Sequence, residues 1–592
     1  MASTSGPAAA AEAQLQNVDG RRVTSLDGAW RTIVDPFENG YYNYRMQPHS
    51  DGYFRDAKPA DPSALQEYDF ETSPTLQVPG DWNSQRPELF FYEGTVWYRR
   101  LFEAEKEPGR RLFLHFGAVN YEARVWLNGE SLGFHRGGFT PFGFEITPLV
   151  RSGSNSLVVK VDNKRHRDAV PTVNTDWWNY GGLTRSVRLV DLPATFVRDY
   201  ALRLREDGGI EGWAQLDGPD RHPVTVRIPE LEAEVSAEPD AEGRARFHLD
   251  VRPDRWSPQS PKLYAVEIAQ AGDPPDDVVL DTIGFRSIAV RGDEILLNGQ
   301  PVFLRGISIH EEAPGGGRAT GPEHARTLLG WAKELGCNFV RLAHYPHNEH
   351  MVREAERMGL MVWAEIPVYW TILWQNPDTY ALAEQQLREM IVRDKNRASV
   401  VIWSVANETP RGEARLRFLK GLIAEARRLD PDRLISAATE VTTREDGIHL
   451  DDPLIESLDV LGVNEYVGWY WGAPEEARAT RWHSRHNKPL VISEFGAGAT
   501  AGLHGDASER WTEEYQERVY LEQVAMLRQI PFLQGVSPWI LMDFRSPRRP
   551  LPGIQDFWNR KGLLSERGQR KKAFYVLQEF YREQAAAAAS GR

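Results

Sequence analysis

Two glutamates in the second half of the chain stand at the ends of apolar stretches. Glu408 ends the run VVIWSVANE, and Glu494 lies in LVISEFG. Two carboxyl groups that face each other across a sugar can cleave a glycosidic bond, because one protonates the leaving oxygen while the other attacks or assists at the anomeric carbon. A single acid at the end of an apolar run is more often a solvated loop residue. Here, however, several polar residues end such runs, and they would converge on one mouth if the runs are the strands of a barrel. They are His310, Arg341, His344, Glu365, Asn407, Glu408, Glu440, Asn464, Tyr466, Glu494 and Asp543.

The stretches that carry these residues predict a (β/α)8 barrel, or TIM barrel, over residues 291–585. Continuous apolar runs alternate with helical patterns such as EHARTLLGWAKELG, which is typical of buried parallel strands. The active site of such a barrel lies at the carboxyl ends of its strands. Glu408 and Glu494 would end strands four and seven on opposite sides of the mouth, and a gap of about 5–5.5 Å would imply a retaining mechanism. The eight strands are predicted at 302–310, 338–345, 361–367, 400–408, 434–440, 460–466, 490–496 and 536–544.

The first half of the chain predicts two β-sandwiches. Over residues 21–191, short segments alternate apolar and polar residues between turns, and Asn128-Gly129 is a hairpin signal, which together fit a jelly roll. Residues 192–290 repeat this pattern at the size of an immunoglobulin-like sandwich. Residues 1–20 are small and polar, without the apolar core of a signal peptide, and are predicted to be a disordered tail or the remnant of a removed signal.

Composition argues against several classes of protein. The net charge of −14 on 592 residues comes without a clustered basic surface, which argues against nucleic-acid binding. No apolar run approaches the roughly 18 residues that a membrane span needs. A single cysteine, Cys337, excludes an intrachain disulfide and any multi-cysteine metal site. The 19 tryptophans and 20 tyrosines fit sugar-binding faces, but they also fit the cores of β-sandwiches.

Three histidines raise the alternative of a metal-dependent hydrolase. His344, His347 and His350 stand at i, i+3 and i+6, whereas zinc needs ligands that converge on one point. After Pro346 the chain is expected to turn into a helix, where residues six apart face different directions. We therefore expect His344 to face the site and the other two to lie on the surface, with no metal and no cofactor in the reaction.

The domain order and three motifs resemble family 2 of the glycoside hydrolases, which holds β-galactosidases, β-glucuronidases and β-mannosidases. The motifs are GQPVFLRG at 299–306, WSVANE at 403–408 and ISEFG at 492–496, and the resemblance extends over residues 21–580. It implies that Glu408 is the general acid/base and that Glu494 is the nucleophile.

The resemblance also implies roles for four neighbouring residues. Asn407 would hydrogen-bond the sugar's 2-hydroxyl, a contact that strengthens in the transition state. Tyr466 would hold the orientation of the nucleophile. Arg341 would lie under the carboxylates and keep Glu494 ionised through a charge-assisted contact, with His344 as a second supporting residue.

Within this family the β-glucuronidases resemble the chain best. After strand eight they carry an Asn-x-Lys motif that grips the sugar's carboxylate, and WNRKG at 558–562 supplies Asn559 and Lys561. An amide donor and an ammonium can together offset a buried carboxylate. Asp176, in the jelly-roll segment TDWWNYGG, and His310 would bind the remote hydroxyls, and Trp539 would form the floor of the site.

One departure from the β-glucuronidases leaves the sugar open. The arginine that they carry four residues before the asparagine is Gln555 here, while the loop RSPRRPLPG at 545–553 is rich in arginine. That loop could supply the missing charge or recognise a second acidic unit. The expected activity is a retaining exo-β-glycosidase that removes a terminal β-linked uronic acid through a covalent glycosyl-enzyme. A β-galacturonidase or β-galactosidase is the alternative, and a non-catalytic carbohydrate-binding protein is a distant one.

The expected partner is a carbohydrate, either a uronic-acid glycoside or an oligosaccharide. Because relatives of this architecture are often dimers or tetramers, we expect a homo-oligomer. We expect a periplasmic or secreted protein whose signal has been removed, with the cytoplasm as the alternative.

Overall fold

The computed structural model describes residues 14–58, 61, 63, 68–270 and 277–589. The predicted fold class is confirmed, since two antiparallel β-sandwiches precede a closed parallel barrel. Most of the predicted tail, residues 1–13, lies outside the described residues. For residues 14–20 the prediction of disorder is wrong. Leu15 and Val18 are buried against Phe113 and Phe196, so their apolar side chains hold this segment on the body of the protein.

The jelly roll consists of two antiparallel sheets around one apolar core. Successive side chains of a strand point to opposite faces of the sheet: in the strand Gly153–Asp162, Leu157, Val159 and Val161 face this core, whereas Val158 packs in a second apolar cluster. One sheet has the strand order Val23–Ser25, Val187–Pro193, Arg110–Phe116 and Phe142–Glu145. The other has the order Thr75–Val78, Gly28–Val34, Thr95–Ala104, Gly153–Asp162, Glu122–Leu127 and Glu130–Arg136.

The immunoglobulin-like sandwich has its own core and links the jelly roll to the barrel. Its three-stranded sheet has the order Phe196–Leu204, Ile210–Asp217 and Arg244–Leu249. Its four-stranded sheet has the order Ala233–Ala237, Val224–Ile228, Tyr264–Gln270 and Val278–Ile283. A small sheet follows and covers the amino-terminal end of the barrel with Ile288, Ile295 and Leu297. Its strands are Ile288–Arg291, Glu294–Leu297 and Gln300–Pro301.

The barrel closes on its first strand, which is divided into two short pieces. Leu304–Arg305 pairs with the last strand, and Ser308–Ile309 pairs with the second. The strands that follow are Phe339–Leu342, Met361–Glu365, Val400–Asn407, Leu434–Thr439, Leu461–Asn464, Leu490–Glu494 and Leu533–Val536.

Strand eight begins earlier and is shorter than predicted. It spans Leu533–Val536 rather than 536–544. Pro538 has no amide hydrogen to donate to a ladder, and beyond it single backbone hydrogen bonds, from Trp539 to Phe495 and from Leu541 to Ser308, take the place of a regular ladder. Trp539 and Asp543, predicted inside or at the end of this strand, therefore lie on a loop.

Helices surround the barrel where the sequence pattern predicts them. Side-chain caps fix several of their starts: Asn376 accepts from the backbone of Asp378, and Thr512 from that of Tyr515. Among the described residues, no helix is both long and apolar enough to cross a bilayer. The helices of the barrel domain are Pro322–Leu335, Glu349–Met358, Pro377–Asp394, Glu413–Leu429, Pro474–Ala479, Glu513–Leu527 and Lys572–Ala589, and one short helix, Trp82–Gln85, lies in the jelly roll.

A jelly-roll segment, residues 174–180, reaches over the mouth of the barrel. Trp177 packs edge-on against Tyr369, with 5.0 Å between ring centroids, and also contacts His310 and His344. A salt bridge between Arg185 and Glu311, 2.9 Å long and buried, ties the same domain to the first barrel strand. The barrel mouth is therefore completed by two domains.

Candidate active site

Glu494 ends barrel strand seven and is held by three side chains. Arg341 Nη1 donates to its Oε1 at 2.9 Å, and Tyr466 donates its hydroxyl to Oε2 at 2.7 Å. His344 Nε2 lies 3.6 Å from Oε1. With both oxygens engaged and the side chain buried, the orientation of this carboxylate is fixed.

Glu408 follows strand four and is half-buried. Trp370 Nε1 donates to its Oε2 at 2.8 Å, and Asn464 Nδ2 donates to its Oε1 at 3.0 Å. A register irregularity between Ser404 and Asn407 interrupts the strand just before it, and Glu408 has a left-handed φ of 49°. Such backbone is unfavourable for residues other than glycine and is found at functional sites.

Asn407 links the two carboxylates. Its Oδ1 accepts from Arg341 Nη2 at 2.7 Å and from Asn464 Nδ2 at 3.1 Å. Arg341 also binds Glu494, and Asn464 also binds Glu408, so this amide oxygen connects the partners of the two acids. Its buried Nδ2 has no hydrogen-bond partner among the described residues. Because a buried polar group without a partner is costly, this donor is suited to bind a ligand between the two acids.

A buried ion network supports the pair from below. Arg341 is fully buried and forms a salt bridge with Glu365 at 3.0 Å. His344 Nδ1 lies 2.7 Å from the same carboxylate. Burial alone would raise the pKa of Glu365, but Arg341 and His344 outweigh it and lower that pKa to about 2. The network therefore keeps one acid permanently ionised beside the catalytic pair.

Arg341 lowers the pKa of Glu494, as expected, but its effect is smaller than that of burial. The predicted contact is present, but burial raises the pKa of Glu494 above its ordinary value, Arg341 opposes this, and the charge of Glu408 adds to the rise. Arg341 is at the same time shared between Glu494 and Glu365.

Aromatic groups line the first-strand side of the mouth. Trp539 stacks on His344, with 4.7 Å between ring centroids, and meets His310 edge-on at 5.1 Å. Burial and nearby cationic groups lower the pKa of His310 well below its ordinary value, so the ring is neutral. Its Nδ1 lies 3.1 Å from the hydroxyl of Tyr345, and its buried Nε2 has no partner among the residues that the structure describes.

Charged residues from loops close the opposite end of the site. Asp176, from the jelly roll, forms a two-pronged ion pair with Arg549 and accepts from Asn559 Nδ2 at 3.3 Å. Lys561 Nζ donates to the hydroxyl of Tyr470 at 2.6 Å, and Arg549 Nη2 donates to the same hydroxyl at 3.2 Å. Arg549 is therefore paired with a carboxylate at this end, whereas Lys561 is hydrogen-bonded to a hydroxyl.

Comparison with known proteins assigns this site to a family. The description "Glycosyl hydrolases family 2, TIM barrel domain" matches residues 288–583, and "Glycosyl hydrolases family 2, sugar binding domain" matches residues 23–193. The chain belongs to glycosyl hydrolase family 2. It is therefore a glycoside hydrolase, as the sequence predicts, and its substrate is a carbohydrate.

Individual family 2 relatives are similar over nearly their whole length. The chain is 31% identical to the β-glucuronidase of Canis lupus familiaris over 95% of this chain and 91% of that protein. It is similar to the structure of Bifidobacterium dentium β-glucuronidase complexed with coumarin-3-O-glucuronide, with a TM-score of 0.82, 26% identity and coverage of 95% and 97%. It is also similar to a family 2 β-galacturonidase from Eisenbergiella tayi bound to galacturonate, with a TM-score of 0.79, 25% identity and coverage of 97% and 99%.

Most of the site residues predicted for this family 2 chain come together, but some polar residues do not. Glu440 pairs with Arg411 away from the catalytic pair, and Asp543 is buried in a salt bridge with Lys571 at 2.8 Å. His347 is not on the surface as expected, because it is buried and its Nε2 donates to the carbonyl of Ala343 at 2.9 Å. The three histidines do not converge, since the one potential metal-binding group among the described residues is Asp446, His449 and His483.

Sequence reasoning did not assign three residues of the family 2 site. Trp370 and Asn464 hold Glu408, and Arg549 holds Asp176. Asn464 was already counted among the polar residues of the barrel mouth, because it ends strand six as Asn407 ends strand four, but it was given no role. Trp370 and Arg549 lie on loops, where no periodic pattern indicates which way a side chain points.

Proposed function

We propose that this family 2 enzyme is an exo-acting β-glucuronidase, which removes a terminal β-linked glucuronic acid with retention of configuration. One observation carries the choice of sugar. Lys561 Nζ lies 5.4 Å from the centroid of the Tyr466 ring, and the hydroxyl of Tyr466 is 2.7 Å from Glu494. The Tyr466 side chain thus lies between the ammonium of Lys561 and the carboxylate of Glu494. The length of this side chain is comparable to that of one sugar ring.

The reaction proceeds in two displacements. Glu494 attacks the anomeric carbon and forms a covalent glycosyl-enzyme, while Glu408 transfers its proton to the leaving oxygen, so that the aglycone departs neutral. Glu408, now ionised, takes a proton from water as the water attacks the same carbon, which releases the sugar and restores both carboxyl groups. Asn407 Nδ2, the donor without a protein partner, is placed to bind the 2-hydroxyl.

The closed end of the pocket supports an exo mode of action. Asp176, Asn559 and Lys561 are all buried, with exposed fractions of 8%, 1% and 4%. A chain extended beyond the non-reducing sugar would collide with this wall. A terminal carboxylate would instead receive charge-assisted hydrogen bonds from Lys561 and the amide of Asn559, which compensate its removal from water.

One observation favours a β-galacturonidase as the second candidate. The position of the β-glucuronidase arginine is Gln555, and here the charge comes from Arg549, which is paired with Asp176. Because Asp176 is expected to bind the remote hydroxyls, this pairing changes the surroundings of the 4-hydroxyl, where glucuronate and galacturonate differ. The relative from Eisenbergiella tayi is such an enzyme.

The test is a panel of p-nitrophenyl β-glycosides that differ only at C4 and C5. We expect kcat/KM for the β-glucuronide to exceed that for the β-galacturonide, and both uronides to exceed the β-glucoside and β-galactoside by about 100-fold or more, since a buried polar group left without its partner costs several kcal/mol. A higher kcat/KM for the β-galacturonide would change the assigned substrate from a glucuronide to a galacturonide, whose sugar is the C4 epimer. Preference for the β-galactoside would overturn the uronic-acid assignment.

A further inference from the structure

Two consecutive arginines on the loop 545–553 have opposite surroundings. Arg549 turns inward and forms the ion pair with Asp176. Arg548 is exposed, and none of the carboxylates among the described residues lies within salt-bridge distance of it. Its guanidinium donates instead to the neutral side-chain oxygen of Asn174, and its backbone amide donates to Ser546 Oγ at 3.2 Å. Arg548 is therefore positioned by neutral partners and keeps its charge uncompensated.

The position of Arg548 connects it to the general acid. Its Cζ lies 4.9 Å from the centroid of the Trp370 ring, and Trp370 Nε1 donates to Glu408 Oε2 at 2.8 Å. Glu408 must contact the leaving oxygen to protonate it, so the leaving group lies next to Trp370. The half-buried indole supplies an aromatic surface there, and Arg548 lies over its ring as a cation.

We propose that Trp370 and Arg548 form a leaving-group subsite that selects an aglycone carrying a carboxylate. The inference rests on the proposed function and extends it from the sugar that is released to the group from which it is cut. An exposed guanidinium with no acidic partner, held beside an aromatic face at the cleavage point, can pair with a carboxylate in the planar, two-pronged geometry that arginine favours. The acid could belong to an aromatic conjugate or to a second uronic acid of an oligosaccharide.

The experiment compares two aryl β-glucuronides that differ in one charge. These are the 4-carboxyphenyl glycoside and its neutral 4-carbamoylphenyl counterpart, each measured with wild type and with Arg548→Gln. The ratio of the two kcat/KM values should fall about fivefold in the variant, which corresponds to an exposed ion pair at the upper end of the usual range. Taking this ratio between variants cancels the difference in leaving-group pKa. The wild-type ratio should also fall in about 1 M salt, where charges are screened within ~3 Å.

Arg227→Gln provides the control, because Arg227 is also an exposed arginine but lies on the immunoglobulin-like sandwich. It should leave the charge ratio unchanged. A second pair of substrates separates the two sources of the acid: a β-linked diuronic disaccharide and the same disaccharide methyl-esterified on its reducing unit. If Arg548→Gln loses the preference for the charged substrate only in the disaccharide pair, the subsite is assigned to oligosaccharides. If it loses this preference only in the aryl pair, the subsite is assigned to aromatic conjugates.

The outcome that overturns the inference is an unchanged ratio for both pairs in Arg548→Gln while the glucuronides are still hydrolysed. Failure of the proposed function has a different signature. In that case wild type would hydrolyse none of the glucuronides, whatever the charge on the leaving group.

Discussion

The catalytic side and the recognition side of this active site are built by different means. The catalytic side, formed by Glu408, Glu494 and the side chains that hold them, comes mainly from the ends of barrel strands, and each acid already has its partners. The recognition side, formed by Asp176, Tyr470, Arg549, Asn559 and Lys561, comes from loops that follow strands six and eight and from the jelly roll. Asp176 and Arg549 form an ion pair there, and Lys561 donates to the hydroxyl of Tyr470.

Charged groups therefore serve different purposes on the two sides: they stabilise the transition state on the catalytic side and bind the substrate on the recognition side. On the catalytic side the groups are preorganised for the transition state and need not move. On the recognition side, Lys561 and Arg549 both donate to the hydroxyl of Tyr470, so an anionic substrate must take over donors that are occupied in the free enzyme. Substitutions should therefore affect turnover in the first region and selectivity between substrates in the second.

The largest effect should follow loss of the nucleophile. Glu494→Ala should lower kcat by on the order of 10⁴-fold or more, because the covalent route is lost while the barrel remains intact. Glu465→Gln is the matched control. It changes a neighbouring buried acid whose pKa burial raises to about 8, so that this group is neutral at pH 7 and its amide replacement should retain activity.

Azide distinguishes the two catalytic glutamates by the configuration of the product. With Glu494→Ala, azide takes the place of the nucleophile in a single displacement and should give the α-glycosyl azide. With Glu408→Ala, azide attacks the glycosyl-enzyme in a second displacement and should give the β-glycosyl azide. The opposite pairing of variants and products, read from NMR spectra, would exchange the roles of Glu408 and Glu494.

The contrast between the two sides also explains how much the sequence could predict. Glu408 and Glu494 were found because they end continuous apolar runs, and the strand order of a barrel then places them across its mouth. The ion pair of Asp176 with Arg549 joins two loops from different domains, and no local pattern specifies it. The pKa of Glu494 is also set by contacts in three dimensions, since burial raises it most and Arg341 lowers it.

A weaker but more selective effect should follow from changing the recognition side. Lys561→Met should lower kcat/KM for the p-nitrophenyl β-glucuronide by about 30- to 1,000-fold, the cost of leaving a buried charge without its partner. It should leave the β-glucoside unchanged or improved. Lys572→Met is the control, because this more exposed lysine pairs with Glu514 and Glu517 on the outer helices. Equal losses for both substrates would show that Lys561 supports the fold rather than binding the carboxylate.

The smallest effect on rate, after those of Glu494→Ala and Lys561→Met, should follow a substitution of Tyr466. This substitution tests a single hydrogen bond of the catalytic side. Tyr466→Phe removes the hydroxyl that donates to Glu494 at 2.7 Å, and a hydrogen bond to a charged group contributes about 1.5–3 kcal/mol, so kcat should fall by about 10- to 100-fold. That hydrogen bond also lowers the pKa of Glu494, which burial and Glu408 raise. Glu494 must be ionised to attack. As the pH falls, activity should therefore be lost through a pKa above the ordinary glutamate value in wild type and through a still higher pKa in the variant. This loss is the acid limb of the pH profile.

The control is Tyr515→Phe, which removes a hydroxyl that donates to the carbonyl of Gly468 at 2.7 Å. It should lower the melting temperature without moving the acid limb. An acid limb that stays in place in Tyr466→Phe would mean that Glu494 is not the group that titrates there.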